Sequence, residues 1–508
     1  MSRCFSPKTT AALLTAALLL TACGTAVVNP VTGQSERSVM DVPAEIEEGK
    51  RSHQQVLAET PAYANPRLQG YVSELGNKLA RQSQRAELAW TFTVLDSPEV
   101  NAFALPGGYV YVTRGILAYL DSEAELAGVM GHEIGHVTAR HGAQRATRAQ
   151  TASIGVMAAA VLGAVVEAAG VGGATNLFGQ VGQTLAAGKL ASYSREQELQ
   201  ADQLGADYLV KAHYDPSNMV DVIGVLKNQE RFAADAAKAE GRAAPQGGGW
   251  LASHPSNDQR LAQIKEIAGR YAAQQSQWGD EGRTRFLLAI DGVNFGESRA
   301  QGVTRGRNFY HEELDIAVTA PAGWQIVNDA EALLVVNGAG DAALKVLPVP
   351  PKAGSTPDEV IRNVLKPSEG RVERTTRNGL AFTTFSGLRR DAKGQTTPVR
   401  ATIVAGPHGK LYLMGAAGKD EAAVARAAAG IAEAEGSFRP LSAADRAAAR
   451  PWVLRTVPMP RGGFAELARL SPLTTMAESQ LRLLNGVYSR DAATAPEPKP
   501  GTLVKVVQ

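Results

Sequence analysis

Cysteine is nearly missing from the 508 residues: Cys4 and Cys23 are the only two, both close to the N-terminus. That excludes a disulfide scaffold and a zinc module built on cysteine. No excess of one charge exists either. Lys and Arg number 52 against 50 Asp and Glu, so nothing drives sequence-independent nucleic-acid binding, and no nucleic-acid partner is expected. Gly, at 51, and Pro, at 26, fall short of collagen-like or low-complexity levels. Charge is scarcest from Ala149 to Gly188, where Glu167 is the only charged residue. This stretch is long enough for a membrane helix. It is also weakly hydrophobic, interrupted by Gly170, Gly172 and Gly173, and a buried Glu167 would cost a few kcal/mol in lipid. Two readings stay open: a soluble or interfacial helical segment, and a membrane-inserted one.

What is present points to an exported, multidomain globular chain. Apolar residues make up 44% and charged residues 20%, enough for packed cores. The length suggests two to four domains. Arg3 and Lys8 precede an apolar run, Ala11–Leu20, which ends in Leu20-Thr21-Ala22-Cys23. A basic start, a short apolar segment and a small-residue cleavage site read as a signal peptide over residues 1–22. The four residues resemble a bacterial lipobox, which implies a lipid on Cys23 of the mature chain. Arg3 and Lys8 leave with the peptide, so the formal charge of +2 falls to 0 and lipid, not charge, would hold the chain to a membrane. Gly24, rather than Asp, follows Cys23. By resemblance to Gram-negative lipoproteins, this implies the outer membrane facing the periplasm.

The rest of the chain reads as α+β. Helical periodicity covers Pro66–Gln84, and Trp90, Phe92 and Val94 alternate with threonines as in a strand. A turn at Pro106–Gly108 leads into a second strand, Tyr109–Thr113. Ser122 and Glu125 form a capping box for a helix expected to run past His132 and His136 towards Arg148. A second capping box, Ser194 with Gln197, opens a helix to about Lys211, and Arg260–Ala273 is helical again. Three mature domains follow from these patterns. Residues 23–275 form the first, largely helical with a small sheet, and residues 280–440 an α+β accessory domain. Residues 450–508 form a small C-terminal unit. Within the second, strands are expected at Leu314–Val318, Ala332–Val336, Leu344–Val349, Ala381–Phe385, Val399–Val404 and Leu411–Met414, and helices at Thr356–Leu365 and Glu421–Glu435.

The sharpest pattern is His132-Glu133-Ile134-Gly135-His136. Positions i and i+4 share a helix face, so both imidazoles can reach one ion. Zinc binds such nitrogens at about 2.0–2.1 Å and lowers the pKa of a bound water to about 7. Glu133, beside the first ligand, can take that proton. Leu126, Val129, Met130, Ile134 and Val137 bury the helix around the histidines. Gly131 and Gly135 are poor helix formers, and their presence predicts that another element packs closely against this face. A catalytic zinc needs a third protein ligand and an open position. His141, Glu198 and Asp202 are the candidates. His141, five residues after His136, falls on another helix face. Glu198 and Asp202 are four apart, so Glu198 can ligate while Asp202 bonds a ligand histidine.

His132–His136 followed by Ser194-Arg195-Glu196-Gln197-Glu198-Leu199-Gln200-Ala201-Asp202 resembles the zinc metallopeptidase family of the BepA-like, HtpX-like and CAAX prenyl endopeptidases. The resemblance extends to Asn29-Pro30-Val31-Thr32-Gly33 and Asn101–Gly108 and covers roughly residues 24–270. It implies a gluzincin-like fold, one zinc per chain held by His132, His136 and Glu198, Glu133 as general base, and Asp202 behind the ligands. It further implies peptide-bond hydrolysis in unfolded or unassembled envelope proteins. Substrate strands are expected to add at an edge near Tyr109–Thr113. His254-Pro255 and Arg260 are also family-like, and His254 reads either as a gating or transition-state residue or as a helix-start residue. BepA-like members carry tetratricopeptide repeats; no 34-residue repeat occurs here, so partners borne by such repeats are not carried over. Residues 481–507 are similar to half of a LysM-type repeat, which implies a peptidoglycan contact. A rival reading is a chaperone or cell-wall adaptor that uses the zinc fold as a scaffold.

Overall fold

The computed structural model describes residues 25–150, 193–239, 250–254, 258–273, 278–328, 332–390, 396–489 and 497–508. Cys23 with its lipobox, and the charge-poor stretch beyond Gln150, lie outside them. Among the described residues no helix is long and apolar enough to cross a membrane. The chain is α+β and divides into two compact units: one runs up to Val293 and takes in Val453–Gln508, the other is Asn294–Trp452.

The first unit opens with a hairpin, β1 (Thr25–Val28) and β2 (Ser35–Ser38). Two helices follow, α1 (Val42–Glu59), capped by Asp41, and α2 (Pro66–Ala80), capped by Asn65 with proline at its first turn. α2 buries Leu68, Val72, Leu75 and Leu79, a stripe spaced by three and four residues. A three-stranded sheet comprises β3 (Thr91–Leu95), β4 (Ala102–Leu105) and β5 (Tyr109–Thr113) in the order β3-β5-β4. β5 pairs parallel with β3 and antiparallel with β4. The expectation of a free edge at Tyr109–Thr113 is therefore corrected. That strand is central, and Ala102–Leu105 is an edge, as is Thr91–Leu95 on the other side, because the turn at Pro106–Gly108 folds β4 back along β5.

After α3 (Arg114–Tyr119) comes α4 (Glu123–Thr138), buried along its whole length. Ser122 caps it through the Glu125 N–H at 3.1 Å. The Glu125 carboxylate takes the Asp121 N–H at 2.6 Å instead of Ser122's, so the expected capping box is only half formed. The helix also stops at Thr138 rather than running on to Arg148. Arg140 adopts φ 59°, and helix resumes over residues 141–150. The cause is a buried ion cluster: Glu45 of α1 pairs with Arg140 at 2.7 Å and Arg85 at 2.8 Å, and Arg85 also donates to the Val137 carbonyl. Two guanidiniums at the C-terminal end of α4 suit its dipole and satisfy a terminal carbonyl. The expected capping box at Ser194 and Gln197 does open α5 (Arg195–Lys211). α6 (Asn218–Ala239), the single turn α7 (Trp250–Ser253), α8 (Asp258–Gly269) and α9 (Arg283–Ile290) complete this part.

The C-terminal residues belong to the same unit. Trp452–Pro458 pairs antiparallel with Leu503–Val507, and helices Gly463–Leu470 and Ala477–Leu484 lie between them in sequence. Lys505 ties this segment to the turn before α4: fully buried, it donates to the Ala118 carbonyl at 3.1 Å and lies 3.3 Å from Asp121.

The second unit is built on a seven-stranded antiparallel sheet. Its order is Gln325–Asn328, Leu333–Val336, Ala342–Pro348, Leu411–Gly418, Thr396–Ala405, Leu380–Arg390, Pro367–Arg377. Helix Glu421–Gly436 buries Ala423, Ala427, Ile431 and Ala434 against Val335, Leu344, Phe382 and Met414. Val360, Ile361 and Leu365 pack with Phe385 and Ile403. The strand expected from Leu314 begins at Ile316, because Asp315 sits at φ 57° in a turn.

Burial pushes the Glu125 carboxyl up to about 7, with Asp121 adding to the effect. The unfolded value is about 4.3. Between the two, the folded chain binds more protons, so this group makes the protein lose stability as pH rises from about 4.3 to about 7. Glu125→Gln is expected to remove that loss. Denaturant unfolding at about pH 8 should show the variant more stable by at most about 4 kcal/mol, with the gap closing below about pH 4.5. Equal stability at the higher pH would contradict a cost of ionising Glu125.

Candidate active site

The site forms where α4 crosses α5 with almost no side chain between them. A Cβ on Gly135 would lie 2.8 Å from the Ala201 carbonyl, and one on Gly205 would lie 3.0 Å from the His132 nitrogen. The close element that Gly131 and Gly135 predict is thus α5. The approach brings Glu198 and Asp202, one turn apart on α5, against His132 and His136, one turn apart on α4. α7 ends at His254, which enters the same cluster. His132, His136, Glu198 and His254 each offer a ligand atom, and these four atoms lie within 4.8 Å of one another.

Hydrogen bonds decide which nitrogen of each ring is free. Asp202 Oδ1 lies 2.8 Å from His132 Nδ1. A carboxylate only accepts, so Nδ1–H donates and Nε2 keeps its lone pair. His141 does the equivalent for His136 through a relay. Its Nε2 lies 2.9 Å from Gln200 Oε1 and its Nδ1 2.9 Å from His136 Nδ1. With the amide oxygen as acceptor, His141 carries its proton on Nε2 and accepts from His136 Nδ1–H. Burial pushes His141 down to about 4, which keeps it neutral for this role. The left-handed turn at Arg140 is what rotates His141 back onto His136; on a continuous helix it would face elsewhere.

Both Nε2 lone pairs consequently face each other at 3.0 Å. Two lone pairs at that separation, with the Glu198 carboxylate 3.4 Å from His136 and 3.6 Å from His132, fit a cation between them. The donor set, three imidazoles and one carboxylate with partners behind them, suits zinc.

Charge is balanced around this core. Arg260 grips Asp202 with two bonds of 2.9 Å and lies 2.7 Å from Glu198. Burial would raise both carboxyls. Arg260 and His132 hold Asp202 low, and His136 and His254 hold Glu198 far below the carboxylate range. Burial would lower His132, but Asp202 and Glu198 outweigh it and raise that ring. Burial wins at His136, which is pushed well down. Glu133 has no exposed surface. Its Oε1 accepts from the Trp250 indole N–H at 2.9 Å, and no hydrogen bond from the described residues reaches its Oε2.

The residues expected from the sequence at this site (His132, Glu133, His136, Glu198, Asp202, His254 and Arg260) all stand here. His141, weighed from the sequence as a third ligand, supports His136 instead. Two others come only from the tertiary structure: Tyr193 stacks on His136 with centroids 3.8 Å apart, and Trp250 binds Glu133. Trp250 precedes His254 by one helical turn, a spacing that could have drawn attention to it; Tyr193 carries no comparable signal. Leu105 and Pro106, at the end of β4, line a small cavity with His136 and Tyr193.

If Asp202 and His141 hold the ligand rings, Asp202→Ala and His141→Ala should each lower metal affinity by about 10–100-fold in chelator competition. A variant that binds metal as tightly as wild type would show that its side chain does not orient a ligand.

Residues 66–268 match the family described as Peptidase family M48. The chain is 28% identical over 245 residues to the beta-barrel assembly-enhancing protease of Yersinia pestis, covering 47% of each chain. A putative beta-barrel assembly-enhancing protease of Vibrio cholerae is 29% identical over 251 residues, covering 48% of each. The mitochondrial metalloendopeptidase OMA1 of Schizosaccharomyces pombe is 32% identical over 198 residues, 39% of this chain and 52% of that one. The chain therefore spans about half the length of these relatives.

Proposed function

Since residues 66–268 of this chain belong to peptidase family M48, we propose that the protein is a zinc-dependent endopeptidase. The observation that carries this is the cluster of His132, His136, Glu198 and His254 with a buried Glu133 beside it. Zinc bound there would polarise a scissile carbonyl and acidify a water. Glu133 takes the water's proton on Oε2 and returns it to the leaving amine. His132 and His136 would hold the metal through Nε2, their Nδ1 protons committed to Asp202 and His141. Arg260 keeps Asp202 and Glu198 ionised. His254 would offer a further ligand and so restrain the resting site, a reading supported by its Nδ1 lying 3.2 Å from His132 Nε2 and 3.0 Å from Glu198. Substrate backbone docks along the free edge of β4, which ends beside His136.

Metal analysis should find one zinc per chain. Glu133→Gln should retain it and lose cleavage of an unfolded protein by about 10²-fold or more. Full cleavage in that variant would falsify the role of the base. His254→Ala should raise basal cleavage; a fall in kcat with metal retained would assign it to the transition state instead.

The physiological setting we propose is quality control of envelope proteins, with Cys23 lipidated and the chain held at the outer membrane facing the periplasm. Relatives whose names describe assistance to beta-barrel assembly support this setting. Residues 453–508 contact peptidoglycan in this proposal. Strand Trp452–Pro458 supports the LysM-like reading by supplying the first strand for which the sequence has no motif. Mass spectrometry of the mature N-terminus should find an acylated Cys23, and the soluble chain should co-sediment with peptidoglycan. An unmodified start elsewhere, or no co-sedimentation, would remove the respective part.

A further inference from the structure

The base of a zinc peptidase must hold one carboxylate oxygen towards the attacking water, and a buried Glu has several rotamers in which it does not. What selects the rotamer here is Trp250. Its indole N–H donates to Glu133 Oε1 at 2.9 Å, and Glu133 Oε2 receives no hydrogen bond. Among the described residues, then, one oxygen is tied down and the other is left to work.

Trp250 is itself fixed from four directions. Its backbone N–H donates to the Val100 carbonyl at 2.9 Å, next to β4. Its carbonyl accepts the His254 N–H at 2.9 Å. The indole stacks on the His254 ring with centroids 4.7 Å apart and planes 19° apart. The Arg260 guanidinium lies 5.5 Å from the ring centroid, a cation–π distance. The side chain is 3% exposed. An indole needs a partner for its single donor when buried, and a carboxylate in a dry site gains more from that bond than it would in water. His254 Nε2 lies 3.5 Å from the same Oε1. Both groups on α7 thus point at Oε1, and neither reaches Oε2.

We infer that Trp250 is a positioning residue for Glu133: its indole N–H anchors Oε1 and so presents Oε2 to the attacking water. The inference rests on Glu133 being the base. Trp250 is not among the residues that offer a ligand atom to the cluster, and its proposed role runs through that carboxylate.

Trp250→Phe keeps an aromatic ring between His254 and Arg260 and deletes the donor alone. With a peptide substrate, kcat is expected to fall roughly ten- to a hundredfold while KM and zinc content stay at wild-type values. Unchanged kcat would reduce Trp250 to a space-filling ring, and a raised kcat would mean that the indole obstructs the base; either overturns the inference. A second readout needs no turnover. Of the five tryptophan indole N–H resonances of the labelled chain, the one assigned to Trp250 by sequential connectivity in the wild type should shift in Glu133→Gln while the rest stay in place. No shift would mean that the bond is absent, and this holds even if Trp250→Phe folds poorly. Wild-type turnover in Glu133→Gln would instead sink the assignment of the base, a result distinct from any outcome at Trp250.

Discussion

Everything at the site depends on how near α4 and α5 come to each other. Helix axes usually stay 8–10 Å apart because side chains separate them. Here Gly131 and Gly135 on one helix meet Ala201 and Gly205 on the other, and a Cβ on Gly135 would collide with an α5 carbonyl. Those glycines weaken each helix by roughly 1 kcal/mol apiece relative to alanine. In exchange, the short side chains of Glu198 and Asp202 reach the imidazoles of α4 directly. A wider crossing would leave a histidine pair with no carboxylate beside it.

The second constraint is electrostatic. Glu198 and Asp202 are 2% and 1% exposed, and His132, His136, His141 and His254 are all buried around them. Ionised carboxylates in such a place are costly unless paired and hydrogen-bonded. Arg260 serves both, and the imidazole donors supply the rest. The same logic works at the far end of α4, where Glu45 holds Arg85 and Arg140. That cluster enforces the turn at Arg140, and the turn delivers His141 to His136. A salt bridge distant from the metal ligands therefore helps to decide which tautomer one of them adopts.

α7 joins the two halves of the chemistry. One turn of helix places Trp250 on the base and His254 among the ligand atoms. Because the two rings stack, motion of one is coupled to motion of the other. Glu133 and the candidate ligand cluster are thereby both reached by a single short element, anchored to the strand side through Val100.

How much of this could be read beforehand follows from the range of the interactions. The α4 and α5 elements, the cap at Ser194, the shared faces of His132 with His136 and of Glu198 with Asp202, and the demand for close packing at Gly131 and Gly135 are local properties. Helical spacing and capping chemistry fix them within a few residues, so sequence determined them. The sequence likewise carried the α+β character of residues 308–440, where alternation and turn residues recur. The end of α4 was not legible, because it is set by Glu45, which lies 95 residues from Arg140. Nor was the strand order, since alternation marks a strand without saying which neighbour it has; only pairing made Ala102–Leu105 an edge and Tyr109–Thr113 the centre. Trp250 on Glu133, across 117 residues, and Lys505 beneath α3 are of the same kind. Such contacts depend on where separate elements meet, and a bond between groups far apart in the chain has no local periodicity to announce it.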